Sequence, residues 1–196
     1  MDEFALSPPL STRLVTERLV LRPPKTSDLP ELRRAMRRNA AHLAPWVPRP
    51  RSGGDPNSIT AVSKSILSQR RAWRQGTQYV LSIFAREPDA PIIGKIALNQ
   101  VYRGALQSAY LGYWIDGERQ GRGLMTEAVK ATLDFALGPL GLHRVQINIM
   151  PRNAASRRIV DKLGIRSEGL ALRYLEIAGT WEDHVMYAVT AEEWSI

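Results

Sequence analysis

One glycine-rich segment has the composition of an anion-binding loop. The sequence RQGRGLMTEAV, residues 119–129, places Gly121 and Gly123 beside Arg119 and Arg122, directly before a run with helical spacing. The first amides of a helix have no partner within the helix, and the helix dipole is positive at that end. Glycines also allow a ligand to approach the backbone, because they have no Cβ atom. The segment is therefore either a phosphate-binding loop or an ordinary tight turn.

The common nucleotide motifs do not decide between these two interpretations. A P-loop would continue with Lys and Ser or Thr, and a Rossmann fingerprint would contain a third glycine. Neither feature follows Gly123 in this sequence. The loop needs support from other segments before a phosphate ligand can be assigned.

A second segment with chemical groups is NAASRRIVDKLG, residues 153–164. Asn153 is a favoured N-cap residue, and Gly164 is a typical helix stop. Ser156 then falls in the first turn of the helix, where serine is unremarkable. From residue type alone, Asn153 and Ser156 are interpreted as residues of a helix start.

The composition limits the class of protein. A chain of 196 residues with 44% hydrophobic content can bury one sizeable core. The absence of cysteine excludes disulfides, a cysteine nucleophile and cysteine metal ligands, and the three histidines lack zinc spacing, so we expect no metal. The sequence has no signal-peptide pattern and no apolar run near the ~20 residues of a membrane span. We therefore expect a cytoplasmic protein without membrane contact.

The charge is strongly positive, with a formal net charge of +8 and 27 basic residues, of which five are lysines. Arginine suits the recognition of phosphate and carboxylate groups. One predicted helix face is formed by Arg33, Arg34, Arg37 and Arg38. Together with Trp46, Arg49 and Arg51 of the following proline-rich loop, this face is either a rim for an anionic partner such as RNA or a solvated surface.

The hydrophobic period divides the chain into helices and strands. Alternation indicates strands, and apolar residues at helical spacing indicate helices. The predicted order is a strand near 19–21, helices 26–43 and 59–76, strands within 77–87, 91–104 and 107–116, helix 124–137, strand 143–150, helix 153–164 and strands 170–177 and 184–189. The order β-α-α-β-β-β-α-β-α-β-β predicts an α/β fold with a mixed, mostly antiparallel central sheet flanked by helices.

Several segments taken together resemble a known family. The sequences LGYWI, QGRGLMTEAV and PRNAASRRIVDKLGI, in this order, closely resemble the GNAT superfamily of acyl-CoA-dependent N-acyltransferases. With the C-terminal GTWEDHVMYAV, the sequence is similar to the RimJ/RimL group of ribosomal-protein-alanine N-acetyltransferases. The resemblance covers residues 14–194, which predicts a single GNAT domain after an N-terminal tail of residues 1–13.

The resemblance implies acetyl-CoA as co-substrate. Its pyrophosphate would lie on the amides of residues 120–124, and its pantetheine would lie like an extra strand between residues 109–115 and 144–150. The implied contacts are Trp114, Ile115, Arg119, Gln120, Gly121, Arg122, Gly123, Leu124, Met125, Asn153 and Ser156. Glu118 departs from the family pattern, which has Gln or Arg there, so its carboxylate should point away from the pyrophosphate.

The resemblance also implies catalytic candidates. Ser156 would act near the thiol as general acid. Relatives place a glutamate in the strand that follows a Glu-Gly pair, which is Glu168–Gly169 in this sequence. The equivalent position here is Leu175. The adjacent Glu176 would face the opposite side of a regular strand and would need a bulge to reach the site. Tyr113 is a further candidate, with a core aromatic as its alternative. Other polar groups that could serve are Asn99, Asp116, Tyr174 and a water relay.

The implied reaction is acetyl transfer to an amine by direct attack in a ternary complex. The resemblance favours the N-terminal α-amine of a ribosomal protein that begins with Ala or Ser. Two alternatives stay open, namely a small-molecule amine acetyltransferase and a non-catalytic acetyl-CoA sensor that binds RNA or the ribosome. The protein would be a monomer or a homodimer.

Overall fold

The alternating and helical segments form eight strands and five helices within residues 7–48, 54–87 and 89–194, which the computed structural model describes. The strands are β1 (Leu14–Val15), β2 (Leu19–Arg22), β3 (Tyr79–Ala85), β4 (Ile92–Tyr102), β5 (Ser108–Ile115), β6 (Arg144–Ile149), β7 (Arg166–Ile177) and β8 (Thr180–Thr190). The helices are α1 (Leu29–Arg38), α2 (Ala40–Leu43), α3 (Ile59–Arg74), α4 (Leu124–Leu137) and α5 (Ala154–Lys162). Within these residues, no helix combines the length and apolarity needed to cross a membrane.

The strands form a single sheet in the order β1-β2-β3-β4-β5-β6-β8-β7. Every neighbouring pair is antiparallel except β5 and β6, which run parallel because α4 crosses over between them. The mixed, mostly antiparallel sheet predicted from the sequence is therefore confirmed, and β3, β4 and β5 form the expected meander.

The N-terminal third differs from the predicted elements in two places. The predicted first strand is a small hairpin, in which Leu14 pairs with Leu21 across a turn closed by the Thr16 hydroxyl and the Leu19 amide at 2.9 Å. The predicted helix 26–43 begins with a 3₁₀ turn at Thr26–Asp28 and is interrupted at Asn39. Asn39 is 2% exposed, and its side-chain amide donates to the Ala35 carbonyl at 2.9 Å. This local bond competes with the helical pattern, as asparagine commonly does.

Two apolar clusters pack on the sheet. The larger one lies between the sheet and helices α4 and α5, and its fully buried members include Leu81, Leu98, Val129, Leu133 and Val145. The smaller one joins α1 and α3 to the sheet through Leu32, Ala35, Val62, Ile66 and Ile92. Burial of each large aliphatic side chain contributes about 1.5–3 kcal/mol. The central strands are thus fixed from both faces.

The N-terminal segment packs against this core. The Trp73 indole nitrogen donates to the Pro8 carbonyl at 2.6 Å, and Leu10 contacts the larger cluster. Trp73 is 1% exposed and stands edge-on to Tyr79 at a ring distance of 4.9 Å. Residues 7–13, expected to be a tail, therefore cover part of the core, whereas residues 1–6 lie outside the described structure.

We expect removal of residues 1–13 to lower the free energy of unfolding by about 1–3 kcal/mol. The buried Trp73 N–H group would lose its acceptor, and that penalty has this magnitude. Urea denaturation followed by tryptophan fluorescence measures the change. Removal of residues 1–6 retains the Pro8 contact and is the matched control. Equal stability of the two truncated proteins would contradict a structural role of residues 7–13.

Candidate active site

The parallel strands β5 and β6 separate after three paired positions. Ser108, Ala109 and Tyr110 pair with Arg144, Val145 and Gln146. Beyond that point, residues 111–115 and 147–149 have no partner across the gap within the described structure, although their outer edges pair with β4 and β8. Two strand edges thus face each other with unpaired N–H and C=O groups. Such a gap can accept an extended ligand that hydrogen-bonds like a strand.

The loop at the carboxyl end of β5 requires both of its glycines. Gly121 and Gly123 have φ angles of 72° and 76°, in the left-handed region that other residues rarely adopt. A Cβ atom at Gly121 would meet nothing within 4 Å, so the requirement there comes from backbone conformation and not from crowding. Gly123 is the N-cap of α4.

The start of α4 presents a row of amides. The Glu127 amide donates to the Gly123 carbonyl at 3.1 Å and makes the first backbone bond of the helix. The amides of residues 121–126 have no backbone acceptor among the described residues. Arg119 is half-buried and Arg122 is exposed in the same loop. This combination of amides, helix dipole and cations can bind an anion, and the assignment of a phosphate ligand to it stays a prediction.

Arg18 holds this loop in place from the turn between β1 and β2. Its backbone amide donates to a Glu127 carboxylate oxygen at 2.9 Å, and its Nε atom donates to the other oxygen at 2.7 Å. Its Nη1 atom donates to the Arg122 carbonyl at 2.9 Å. Burial acts to raise the pKa of Glu127, but the hydrogen bonds and charge of Arg18, with the Thr16 hydroxyl, bring it below its ordinary value. No local sequence pattern predicts this contact.

A groove of about 380 Å³ continues from the loop across α4 to the end of α5. Gly123 and Thr126 line it on one side, and Lys162 and Leu163 line it on the other. Lys130 also lines the groove, and its ammonium group lies 3.0 Å from Asp134. Glu17, Arg18 and Glu127 line the groove as well, so its charge is mixed.

The structure brings Tyr113, Asn153 and Ser156 together. The Asn153 side chain caps α5 by accepting a hydrogen bond from the Ser156 amide at 3.1 Å. The Tyr113 ring packs against the larger core cluster, as its alternative interpretation expected, and its hydroxyl lies in the environment of Ser156. Both hydroxyls therefore lie on the α5 side of the gap, where β5 has already separated from β6.

The Tyr113 hydroxyl is buried without a hydrogen bond of normal geometry within the described residues. Burial raises the pKa of Tyr113 to about 12, and the nearby Ser156 hydroxyl opposes this increase. The phenol is therefore protonated at neutral pH and has an unused proton. A buried unsatisfied hydroxyl is uncommon and often marks a functional group.

Glu176 lies farther from this cluster. It is on β7, next to Trp181 of β8, and β8 separates β7 from β6. Strand β7 does contain a bulge of the expected kind. It lies between Ala171 and Leu175, where the register with β8 shifts, and Arg173 within it has a φ of 48°. The bulge ends before Glu176, whose catalytic role stays a prediction.

The apolar members of the predicted cofactor set direct their side chains largely to the core clusters. Ile115 and Met125 are buried, and Leu124 packs against the larger core cluster. Trp114 packs its side chain against the smaller cluster. Gln120 instead directs its side-chain amide to His42, at 3.1 Å. The loop therefore offers a ligand mainly its backbone amides.

The predicted basic face of α1 is largely neutralised. Arg34 lies 3.1 Å from Glu31, Arg37 lies 3.7 Å from Asp55, and Arg38 lies 2.6 Å from Asp116. Arg33 donates to the Asn57 carbonyl at 2.9 Å. Arg49 and Arg51 lie outside the described residues. A contact of this face with RNA stays a prediction, and it would compete with these pairs.

The remaining polar candidates have structural partners. His143 pairs with Glu192 at 3.1 Å, and the buried His184, inside β8, lies against the Glu182 carbonyl. Asn99 accepts from Gln78 at 2.6 Å, and the Tyr174 hydroxyl accepts from Asn148 at 2.8 Å. No group of three or more His, Asp or Glu suited to a metal ion occurs among the described residues.

Known proteins share this architecture. The model of the acetyltransferase (GNAT) domain matches residues 18–166. The [ribosomal protein uS5]-alanine N-acetyltransferase of Escherichia coli is 36% identical over 185 residues, which cover 93% of each chain. The crystal structure of a ribosomal-protein-S5-alanine acetyltransferase from Vibrio fischeri has a TM-score of 0.86 at 27% identity, covering 95% of this chain and 100% of that one. RimJ of Mycobacterium smegmatis in complex with CoA-disulfide has a TM-score of 0.83 at 34% identity, covering 91% and 84%.

We expect Tyr113→Phe to leave the free energy of unfolding unchanged or to raise it by up to about 1 kcal/mol. Removal of an unsatisfied buried hydroxyl relieves its desolvation cost. Thermal and urea denaturation measure the effect. Tyr79→Phe is the control, since that hydroxyl lies 3.3 Å from the Ser7 hydroxyl and its loss should destabilise slightly. Marked destabilisation by Tyr113→Phe would show that the hydroxyl has a structural partner.

Proposed function

The chain belongs to the acetyltransferase (GNAT) domain family of N-acetyltransferases, and from this premise we propose that it acetylates the N-terminal α-amine of a ribosomal protein that begins with Ala or Ser. The gap between β5 and β6, which ends at the free amides of residues 121–126, is the observation that carries the proposal. It provides an extended slot followed directly by an anion site. Acetyl-CoA has the same order of groups, with amides in its pantetheine arm and then a pyrophosphate.

The described residues offer suitable groups for successive parts of this co-substrate. The open edges of residues 111–115 and 147–149 would pair with the pantetheine amides. The amides after Gly121, with Arg119 and Arg122 nearby, would hold the pyrophosphate. We assign the nucleotide end to the adjoining groove, whose cations are Arg18, Lys130 and Lys162. When bound, acetyl-CoA supplies the activated acetyl group as a thioester.

The reaction needs three events at the end of the gap. The neutral amine attacks the thioester carbonyl, a C–N bond forms as the C–S bond breaks, and the leaving thiolate takes a proton. Ser156 is the proposed general acid, and its neighbour Tyr113 is a second proton donor because its pKa of about 12 retains the proton at neutral pH. Glu176 stays the candidate for the base that takes the amine proton.

The acceptor assignment is supported by relatives of similar length. The Escherichia coli relative is named as an enzyme that acts on an alanine of ribosomal protein uS5, and the alignment covers nearly the whole of both chains. Its similarity extends over α1 and α2, on the face of the sheet opposite α4 and α5. We infer an acceptor of the same class, a protein N-terminus, for this chain. Action in the cytoplasm, where ribosomal proteins are made, is part of this proposal.

Mass-spectrometric profiling of protein N-termini tests the acceptor. Cells with the gene should contain an acetylated ribosomal-protein N-terminus, and cells without it should contain the same terminus unmodified. Purified protein with a peptide of that terminus should release free CoA thiol. Unchanged N-terminal acetylation together with thiol release on small amines would favour a small-molecule acceptor. No thiol release with any amine would favour a non-catalytic role.

We expect Ser156→Ala to lower kcat about 10²-fold or more while changing the Kd of acetyl-CoA less than threefold. General acid catalysis has this magnitude, and the proposed contact of the Ser156 hydroxyl with the co-substrate is confined to the region of the thiol, so its loss should cost little affinity. Steady-state kinetics and calorimetry measure the two quantities. Ser68→Ala, at an exposed position of α3, is the control. A kcat equal to that of the unmodified protein would remove Ser156 from the mechanism.

We expect Gly121→Val to weaken CoA binding at least tenfold in calorimetry. A β-branched residue at a φ of 72° is strained by about 1–3 kcal/mol, and its side chain would stand where the phosphate approaches. Gly104→Val is a matched control, because Gly104 also has a positive φ, 66°, and open surroundings, but lies in the turn between β4 and β5. Both variants should lose similar stability. Equal loss of CoA affinity in both would contradict the loop assignment.

A further inference from the structure

Arg18 divides its side chain between the glycine loop, residues 119–123, and the helix that follows it. Its Nε atom donates to Glu127 in the first turn of α4 at 2.7 Å, and its Nη1 atom donates to the Arg122 carbonyl at 2.9 Å. The guanidinium also packs along the loop, because a Cβ atom at Gly123 would lie 3.5 Å from its Nη2 atom. One side chain from the turn between β1 and β2 thus contacts both the loop and α4.

The bond to the Arg122 carbonyl sets the direction of the next amide. No cis peptide bond occurs among the described residues, and in a trans peptide the C=O group and the following N–H group point in opposite directions. Since the Arg122 carbonyl points at Arg18, the Gly123 N–H group points away from Arg18. This N–H group has no backbone acceptor within the described structure. It is therefore free to donate to a ligand on the other side of the loop.

The glycine at position 123 would make this direction easy to lose. Gly123 has a φ of 76°, and glycine adopts positive and negative φ angles about equally readily. The peptide plane between Arg122 and Gly123 can therefore rotate by about 180° with little strain at Gly123, as between related turn types. The rotated plane would present a carbonyl oxygen in place of the N–H group, and this oxygen would repel a phosphate. The bond from Arg18 opposes that rotation.

Arg18 also has an electrostatic effect. Glu127 places a carboxylate at the positive end of α4, where it competes with an anionic ligand. Burial raises the pKa of Glu127, but its bonds with Thr16 and Arg18 lower the pKa by more, so the carboxylate is charged at neutral pH. Arg18 offsets this charge, but the pair is neutral as a whole and the arginine side chain is 46% exposed, so solvent and salt screen the remaining potential. We therefore expect the positional effect to be the larger one.

We propose that Arg18 is a positioning residue for the co-substrate, which holds the peptide plane of residues 122–123 so that the Gly123 amide donates to the pyrophosphate. This inference rests on the proposed function for the identity of the ligand. Arg18 contacts the loop and not the reacting atoms. It should therefore determine the affinity for CoA and leave the chemical step unchanged.

Nuclear magnetic resonance of the full chain without ligand tests the positioning directly. The sequence contains two Arg–Gly pairs, 103–104 and 122–123, so ¹³C in arginine carbonyls and ¹⁵N in glycine give one linked signal for each pair. In Arg18→Met, the couplings between the Gly123 amide and its two Hα atoms, which report φ, should change. The Gly104 couplings should stay the same and provide an internal control. Unchanged Gly123 couplings in Arg18→Met would overturn the proposal.

Calorimetry with CoA separates position from charge. Arg18→Met should raise the Kd about tenfold or more, the size expected for losing one well-placed donor. Arg18→Lys keeps the charge, but its ammonium group lacks the planar fork that reaches Glu127 and the Arg122 carbonyl together, so the Kd should still rise about fivefold. The double variant Arg18→Met/Glu127→Gln should bind as weakly as Arg18→Met. Full affinity in the double variant or in Arg18→Lys would show an effect of charge alone and overturn the positioning.

Arg86→Met is the matched control. Arg86 is exposed and donates to the Thr16 carbonyl at 3.3 Å, so its replacement removes the same charge from the same turn without touching the loop. This variant should keep the Kd of CoA and the Gly123 couplings. If Arg18→Met does not fold, Arg18→Lys provides both measurements.

Steady-state kinetics distinguishes positioning from a general loss of structure. Arg18→Met should raise the KM of acetyl-CoA by about the same factor as the Kd and leave kcat at saturation nearly unchanged. A merely destabilised protein would instead lose kcat in proportion to its unfolded fraction. A fall in kcat with an unchanged KM would therefore contradict the positioning role.

The same measurements separate this inference from the proposed function. Absence of CoA binding by the unmodified protein would overturn both. CoA binding that depends on Arg18, in a protein that acetylates no protein N-terminus, would support the positioning and contradict the proposed acceptor. CoA binding that is equal in Arg18→Met and the unmodified protein would overturn the positioning alone.

Discussion

The separation of β5 from β6 after three paired positions is the constraint on which the rest of the site depends. The two strands cannot close the gap by sliding together, because each is already paired along its outer edge, β5 with β4 and β6 with β8. The larger apolar cluster fixes the same strands from the α4 and α5 side. An opening that would be costly in an isolated sheet is therefore maintained by its neighbours. The glycine loop and the cap of α5 both follow directly from the ends of these two strands.

The sequence predicts the elements well where local signals are strong. Alternation identified β3 to β5, and the glycines at 121 and 123 located the start of α4. The break at Asn39 could not be predicted, because the side chain bonds to Gly117, which lies 78 positions away in sequence. The same holds for Arg18, whose partner Glu127 is 109 positions away. Long-range polar contacts of this kind have no periodic signature.

The arginine-rich composition has a partly internal explanation. Arg18, Arg22, Arg38 and Arg152 each join segments through a carboxylate and, in several cases, a backbone carbonyl. The planar guanidinium group with several donors suits this role better than an ammonium group does. Arg38, for which the sequence leaves a rim for an anionic partner and a solvated surface as alternatives, is thus part of the framework that positions the site. Arg119 and Arg122 differ, since they lie beside free amides.

The open strand edges would also make the stability of the protein depend on the proposed co-substrate. A molecule that binds the folded chain and not the unfolded chain stabilises it by about 2.7 kcal/mol at a free concentration one hundred times its Kd. A co-substrate that fills the gap would supply the strand partner that β5 and β6 lack in this region. Resistance to unfolding and to proteolysis would then rise and fall with the cellular supply of that co-substrate. The abundance of the protein, and not only its rate of reaction, would follow the carbon status of the cell.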